Sequence, residues 1–265
     1  MHWHLGEGGW HFPTLEDNLP GENTIPDPLY NAKHLSEIYL RANPNYAGRY
    51  TVPVLWDKKH ETIVNNESSE IIRMLYTQFD AAVEDKYKGV EFLKGKGEQI
   101  DEMNKWIYDG INNGVYKSGF ATSVLPFFLF LFFFFFLFSV CALPSTNAFL
   151  YSVQEVYEKH VEVLFNSLDR IEKILEDSNG AYLLGEELTE VDIRLYPTIV
   201  RFDTIYVQHF KCNIKDIRHG YPAIHKWLRH LYWDIPAFNE TTQFEHIKNH
   251  YSKSHLQINP YVSSP

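Results

Sequence analysis

The residues of this chain that could carry chemistry are few. Its two cysteines are Cys141, inside a long apolar block, and Cys212. So small a number argues against a disulfide framework and favours a reducing compartment. We interpret Cys212 as a small buried apolar side chain. His2 and His4 form a His-x-His pattern, but two ligands do not make a zinc site, so we predict no metal centre.

The start of a helix is a second feature of interest. The segment NNESS at positions 65–69 supplies cap-type residues directly before a stretch with helical periodicity that begins at Glu70. An ordinary helix cap is one interpretation of Ser68.

Short strands precede this helix start. The segment GRYTVPVLWD at positions 48–57 predicts a turn that leads into a strand, with Pro53 near its beginning, where a proline is tolerated. Positions 62–64 form a second short strand, and the polar residues between the two suit a hairpin. The first part of the chain is therefore predicted as strand, hairpin, strand and helix.

The rest of the chain outside the apolar block shows the periodicity of helices. One apolar stripe contains Ile100, Met103, Ile107 and Ile111, and a second contains Tyr157, Val161, Leu164, Leu168, Ile171 and Leu175. We therefore predict an α/β piece followed by an all-helical piece.

Cap signals delimit these helices. Gly180, after Asn179, is typical of a helix end. Thr189 followed by Asp192 predicts a capping box, with Asp in place of Glu, at the start of the next helix. Beyond it, we interpret Arg201 together with Asp203 as a structural ion pair.

Composition restricts the classes of function. The 265 residues are 45% hydrophobic and 22% charged, which is typical of one large or two ordinary globular domains. A net charge of −10 disfavours nucleic acid and anionic membranes as partners, because phosphate binding needs a positive surface. Positions 1–12 lack the basic and apolar regions of a signal peptide. We predict a cytoplasmic protein.

A Phe-rich block, VLPFFLFLFFFFFLFSVCAL at positions 124–143, interrupts the helical part. Its length would just span a bilayer, so a membrane-tethered protein is one interpretation. Pro126 near its start, the middling helix propensity of Phe and the lack of a flanking Lys or Arg cluster count against a span. A buried core helix would need protein on every side.

The third interpretation of the Phe-rich block is translated intron sequence. Positions 125–139 contain only Leu, Pro, Phe and Ser, which codons made of pyrimidines alone can encode. Val124 requires a codon that begins with GT, and GT followed by a pyrimidine tract is what an unspliced intron would resemble. We favour this interpretation and predict an intron-derived insertion over about 123–152.

Six segments carry a resemblance to a known family. They are GWHF at 9–12, TVPVLWDKK at 51–59, IVNNESSEIIRML at 63–75, NNGVYKSGFA at 112–121, LTEVDIRLYPTIVRFDTIYVQHFKCN at 188–213, and IKNHYSKSH with INP within 247–260. Together they resemble the Xi class of glutathione transferases, the glutathionyl-hydroquinone reductases, which are related to the omega class. That family runs from a GFA-type motif, here 119–121, almost directly into a QE-x-Y-E helix, here 154–158, which supports the insertion.

The resemblance implies a glutathione transferase architecture. Positions 1–90 would form an incomplete thioredoxin-like domain, and 91–265 an all-helical domain that the insertion interrupts. The family's nucleophile is a cysteine in a CPWA-type motif at the start of the first thioredoxin helix, whose N-terminus lowers the thiol pKa. This sequence has no such motif, and Cys212 lies in the helical part. The nucleophile is therefore predicted to be missing upstream of Met1.

The resemblance also implies two sets of binding residues. The glutathione contacts would be Trp10, Val52, Pro53, Glu67 and Ser68: Val52 precedes a cis-proline and pairs with the cysteinyl part, while Glu67 and Ser68 receive the γ-glutamyl group. Packing of Trp10 and an edge-strand role for Pro53 are the alternatives.

The quinone contacts implied by the resemblance are Tyr116, Tyr206 and Tyr251, whose phenols would hydrogen-bond the quinol oxygens. The alternative for each is an ordinary buried tyrosine with a satisfied hydroxyl. Glutathione would be the co-substrate, without a metal, and a quinone the second small-molecule partner of a homodimer.

Three functions follow from these observations. The first is a glutathione-dependent reductase of glutathionyl-hydroquinones, impaired in this chain because the nucleophile is absent. The second is a non-catalytic glutathione-binding or dimerising remnant. The third is a protein tethered to a membrane through residues 124–143.

Overall fold

The computed structural model describes residues 8–14, 24–121, 146–255 and 257–259, and of 146–153 it describes the backbone alone. The Phe-rich block lies outside the described residues, and so do His2, His4 and Cys141; of the predicted insertion over about 123–152, only the backbone from position 146 is described. The predicted insertion therefore stays a prediction. Two compact units are present: unit 1 contains Met1–Phe92 and Phe244–Ser254, and unit 2 contains Leu93–Gln243 and His255–Pro265.

The secondary structure contains the predicted hairpin followed by helices, and a helix over Leu35–Ala42 that was not predicted precedes the hairpin. The strands of the described residues are β1 (Leu55–Asp57) and β2 (Thr62–Asn65). The helices are α1 (Leu35–Ala42), α2 (Ser68–Thr77), α3 (Gly97–Ile107), α4 (Gly114–Phe120), α5 (Thr146–Asp177), α6 (Glu190–Arg201), α7 (Ile217–Gly220), α8 (Pro222–Asp234), α9 (Pro236–Thr241) and α10 (Phe244–Ser254). Short 3₁₀ turns cover Asp80–Ala82 and Asp85–Tyr87, and π-helical turns cover Tyr108–Asn112 and Phe202–Tyr206.

In unit 1, β1 and β2 form an antiparallel hairpin in which Trp56 pairs with Ile63. Asp57 closes it, because its Oδ1 accepts hydrogen bonds from the backbone N–H groups of Lys59 (2.8 Å) and His60 (3.0 Å). Its Oδ2 lies 2.7 Å from Nδ1 of His60. The His60 side chain, its backbone and the Lys59 backbone lower the pKa of Asp57 to about 2.

The core of unit 1 gathers around α1. Leu35, Ile38 and Tyr39 are buried on one face of this helix, and Trp56 and Ile63 of the hairpin pack against them. The spacing of the three buried residues is that of an amphipathic helix. Aromatic packing therefore supports the segment that leads into β1.

In unit 2, the two apolar stripes predicted from the sequence line the core. Ile100, Met103, Ile107 and Ile111 are all buried, and so are Val161, Leu164, Leu168 and Ile171. These predictions are confirmed, because an apolar repeat with the helical period finds partners on neighbouring helices. The π-helical turn at Tyr108–Asn112 separates α3 from α4.

The predicted capping box is present at the start of α6. Oδ2 of Asp192 accepts hydrogen bonds from the backbone N–H (3.0 Å) and the hydroxyl (2.8 Å) of Thr189. Oδ1 accepts from the Leu183 N–H (3.0 Å) and from Nε1 of Trp227 (2.9 Å). The carboxyl is completely buried. Burial raises its pKa, and the donors act in the opposite direction.

The predicted role of Gly180 as the glycine that ends α5 is wrong. This helix ends at Asp177, and Gly180 does not adopt a positive φ, whereas Gly185 has φ 114°. A Cβ at Gly180 would overlap the carbonyl group of Gly185. Glycine is needed at position 180 for the close approach of two backbone segments and not for a left-handed cap.

The predicted ion pair of Arg201 with Asp203 is also wrong. Asp203 instead accepts hydrogen bonds from the backbone N–H groups of Ile217 (2.7 Å) and Arg218 (3.1 Å) at the start of α7. The Arg201 guanidinium donates to the carbonyl of Pro197 (2.5 Å). Free N–H groups at a helix start compete well for a carboxylate.

Candidate functional site

The turn that precedes β1 contains a cis peptide bond between Val52 and Pro53. The hydroxyl of Tyr39 donates to the backbone carbonyl of Thr51 (2.7 Å), just before this turn. Tyr39 belongs to the buried core of unit 1, and Val52 is 42% exposed. The turn is therefore anchored from inside while its outer surface remains accessible.

The start of α2 is the second part of this site. Ser68 is the first helical residue and Glu67 the N-cap, and the Glu67 side chain makes no capping hydrogen bond. Both side chains are exposed. The first N–H groups of a helix have no partner within the helix and carry partial positive charge. An anionic group of a ligand could therefore bind there, with Glu67 beside it for a cation.

A hydrogen bond joins these two parts of unit 1. Nδ2 of Asn66 donates to Oγ1 of Thr51 (2.8 Å), and Oδ1 of Asn65 accepts from the backbone N–H of Glu67 (2.6 Å). The turn before β1 and the start of α2 are thus held side by side. Sequence reasoning missed Asn66 and Tyr39, although NNES at 65–68 contained a signal, since Asn commonly bonds nearby backbone.

The rings of Trp10 and Tyr251 both contact the imidazole of His250 in unit 1. The Trp10 ring stacks on His250 with centroids 5.2 Å apart and an interplanar angle of 12°. The Tyr251 ring meets the same imidazole at 5.0 Å and 76°. Trp10 also packs against the buried cluster of α1, so packing contributes to its role. The sequence had assigned these two residues to different binding sets.

Tyr116 and Tyr206 come together in unit 2. Their ring centroids are 6.0 Å apart at 64°. Both meet the ring of Phe210, at 5.4 Å for Tyr116 and 5.2 Å for Tyr206. Sequence reasoning missed Phe210, because it lies far along the chain from α4 and its only signal was membership of the FKCN segment.

Cys212 is buried, as predicted. Its Sγ lies 4.0 Å from the carbonyl oxygen of Val115 and 3.8 Å from that of Phe210. Burial raises the pKa of the thiol to about 12. A thiolate is the nucleophilic form of cysteine, so Cys212 is unsuited to nucleophilic attack at neutral pH.

Within the described ranges, no group of three or more His, Cys, Asp or Glu side chains is arranged to hold a metal ion. Across the part of the chain that the structure describes, no helix combines the length and apolar character needed to cross a bilayer.

Comparison with known proteins assigns the family. The model of the glutathione S-transferase N-terminal domain matches residues 11–78, and that of the C-terminal domain matches residues 154–230. "Glutathione S-transferase omega-like 2" of Schizosaccharomyces pombe is 49% identical over 265 residues, which cover 99% of this chain and 73% of that protein. The chain belongs to the glutathione transferase family.

Two further relatives place this transferase within the family. "Glutathionyl-hydroquinone reductase YqjG" of Escherichia coli is 44% identical over 254 residues, which cover 96% of this chain and 65% of that protein. The Xi glutathione transferase ECM4 of Saccharomyces cerevisiae, solved in complex with glutathione, is 40% identical with a TM-score of 0.81, and the match covers 100% of this chain and 81% of that one. The Xi-class resemblance and the transferase architecture predicted from the sequence are confirmed.

Proposed function

We propose that this transferase binds glutathione in unit 1 and acts on glutathionyl-hydroquinones. The proposal rests on the hydrogen bond from Asn66 to Thr51, which links the start of α2 to the Val52–Pro53 turn. The backbone of Val52 would pair with the cysteinyl part of glutathione. Glu67 and Ser68 would receive the ammonium and carboxylate groups of the γ-glutamyl part, and Trp10 would line the site.

The quinone part of the proposal concerns the tyrosines. Tyr116 and Tyr206 present two phenols within one aromatic cluster, and phenols can hydrogen-bond a quinol and stabilise the leaving phenolate. Tyr251 is proposed for the same role. The name of the E. coli relative, a glutathionyl-hydroquinone reductase, supports this choice of substrate. A homodimer in the cytoplasm is the assembly and location that we propose.

The chemical step needs a thiolate. A thiolate would attack the glutathionyl sulfur, form a mixed disulfide and release the hydroquinone anion, which takes a proton. A second glutathione would then reduce the mixed disulfide and leave as glutathione disulfide. Cys212, with a pKa of about 12, is a poor source of that thiolate. We therefore expect little thiol-dependent turnover from these 265 residues.

Glutathione binding is tested by titration calorimetry. Ser68→Ala and Glu67→Gln should each weaken glutathione binding by about tenfold, because the first removes a hydrogen bond to the carboxylate and the second removes the negative charge that faces the ammonium group. Ser69→Ala, one residue along the same helix, is the matched control and should retain the affinity of the unmodified chain. Equal affinities for all four proteins would refute the assignment.

The second candidate function is a glutathione-binding protein without catalysis, which the burial of Cys212 favours. Reduction of S-glutathionyl-menadiol separates the two. Glutathione binding without turnover would support the non-catalytic protein, and measurable turnover by this chain would support the reductase.

A further inference from the structure

Phe210 is the central ring of the aromatic cluster in unit 2. Its side chain is completely buried. It meets the rings of Tyr116, Phe120, Tyr206, His209 and His255, with centroid distances between 5.2 and 6.2 Å. A displacement of Phe210 would therefore change its contacts with all five rings.

The two tyrosines of the proposed quinone site both meet Phe210 nearly at right angles. The interplanar angle is 85° with Tyr116 and 88° with Tyr206. Edge-to-face contact is a preferred arrangement of aromatic rings because the electropositive edge of one faces the electron-rich face of the other. The shared ring of Phe210 therefore restricts the orientation of both phenols.

Gly119 on α4 allows Phe210 to occupy this place. A Cβ at position 119 would overlap the Phe210 ring. Glycine within a helix lowers its stability relative to alanine, so a buried glycine inside α4 has a packing reason. The contact joins α4, which carries Tyr116, to the segment after α6, which carries Tyr206.

We propose that Phe210, packed on Gly119, is a positioning residue that holds the phenols of Tyr116 and Tyr206 in the orientation that binds a quinol. The inference rests on the proposed function. Phe210 has no polar group, so it acts through the two tyrosines and not on the reacting atoms. A displacement of a binding group by about 1 Å is enough to weaken a site strongly.

Phe210→Leu tests the proposal, because leucine keeps the site apolar and removes the flat ring. In protein with labelled tyrosines, nuclear Overhauser contacts between the Tyr116 and Tyr206 rings should weaken. The affinity for menadione, measured by calorimetry, should fall by about tenfold, as expected when phenol hydrogen bonds are lost. The affinity for glutathione should stay unchanged, which shows that unit 1 remains folded.

Controls separate positioning from general loss of packing. Phe165→Leu shortens another buried aromatic residue of unit 2 and should leave menadione binding unchanged. Gly119→Ala should reproduce the effect of Phe210→Leu. Gly110→Ala, whose Cβ would crowd Oγ of Ser167, should lower stability without changing menadione affinity.

A double-mutant cycle tests whether Phe210 acts through the tyrosines. In a chain that already carries Tyr116→Phe and Tyr206→Phe, adding Phe210→Leu should change menadione affinity by less than about twofold. A full further loss would mean direct contact of Phe210 with the quinone and would overturn the proposal. Unchanged ring contacts and affinity in Phe210→Leu alone would also overturn it.

Failure of the proposed function gives a different result. If the unmodified chain does not bind menadione, the quinone assignment fails. The ring contacts between Tyr116 and Tyr206 then decide the positioning role alone: their loss in Phe210→Leu, with retention in Phe165→Leu, would support it.

Discussion

The two candidate sites differ in the interactions that hold their residues in place. In unit 1, Val52, Glu67 and Ser68 are exposed, and hydrogen bonds to Thr51 from Tyr39 and Asn66 hold their backbone in place. In unit 2, Tyr206 is buried, and its placement depends on ring packing.

The difference between the sites explains which parts were visible in the sequence. The start of α2 is made by exposed polar residues close together in the chain, so the short segment NNES shows it. A buried aromatic site is made by rings from distant helices, and none of the segments alone shows which rings will meet.

The largest expected effect concerns access to the interior of unit 2. With a pKa of about 12, Cys212 should react with iodoacetamide at neutral pH about a thousandfold more slowly than an exposed cysteine, because the thiolate is the reactive form. Peptide mapping by mass spectrometry measures alkylation at position 212 alone. The same chain in urea is the control and should react quickly. Rapid alkylation of the folded chain would contradict a closed interior.

The next effect concerns the buried carboxylate of unit 2. Asp192→Ala would leave the donors of Thr189, Leu183 and Trp227 without an acceptor, so the free energy of unfolding should fall by about 3–5 kcal/mol. Urea unfolding followed by fluorescence measures the loss. Asp177→Ala is the control, because the ion pair of Asp177 with Lys173 is exposed and should contribute about 0–1 kcal/mol. Equal losses would remove the distinction between buried and surface carboxylates.

A smaller effect is expected at the anchor of the unit 1 site. Tyr39→Phe removes the hydrogen bond to the carbonyl of Thr51, so the free energy of unfolding should fall by about 1 kcal/mol and glutathione affinity by a few-fold. Tyr30→Phe is matched, since it also removes one phenol, a partner of Trp56 (3.1 Å). It should lower stability without changing glutathione affinity. Loss of affinity in both variants would show that the anchor is not specific.

The smallest effect is a pH dependence at the exposed hairpin of unit 1. The pKa of Asp57 is lowered to about 2 from 3.8. A lowered carboxyl pKa stabilises the folded state above the unfolded value, and that stability is lost as pH falls through about 2. His60→Ala should raise the pKa of Asp57 towards 3.8, because its largest cause is removed. Carboxyl chemical shifts during an acid titration measure it, and an unchanged pKa would contradict the assignment.

Local patterns predicted much of the fold. The apolar stripe from Ile100 to Ile111 is buried, and the box of Thr189 with Asp192 begins α6. Both signals lie within a few residues along the chain, and helical periodicity or a capping hydrogen bond acts over that range. The strand pair was also predicted, although β1 begins later than the pattern indicated, at Leu55.

Contacts that depend on how the backbone folds back in space could not be predicted in the same way. Gly180 has a glycine-specific role, but its cause is the Gly185 carbonyl and not the end of a helix. Asp203 looked like the partner of Arg201, yet it accepts hydrogen bonds from the first two N–H groups of α7. In both cases the partner is set by the path of the backbone, which a local sequence pattern does not specify.

The sequence alone was enough to predict the start of α2 and the buried character of Cys212, because each depends on residue type or on neighbours within one or two turns. It was also enough for the family, through the resemblance of six segments, but not for α1, which precedes the hairpin. Only the three-dimensional structure shows that Asn66 joins two parts of unit 1, that Trp10 and Tyr251 both contact His250, and that Phe210 packs against both Tyr116 and Tyr206. These pairings arise from close packing, in which a side chain's partners depend on how whole helices come together.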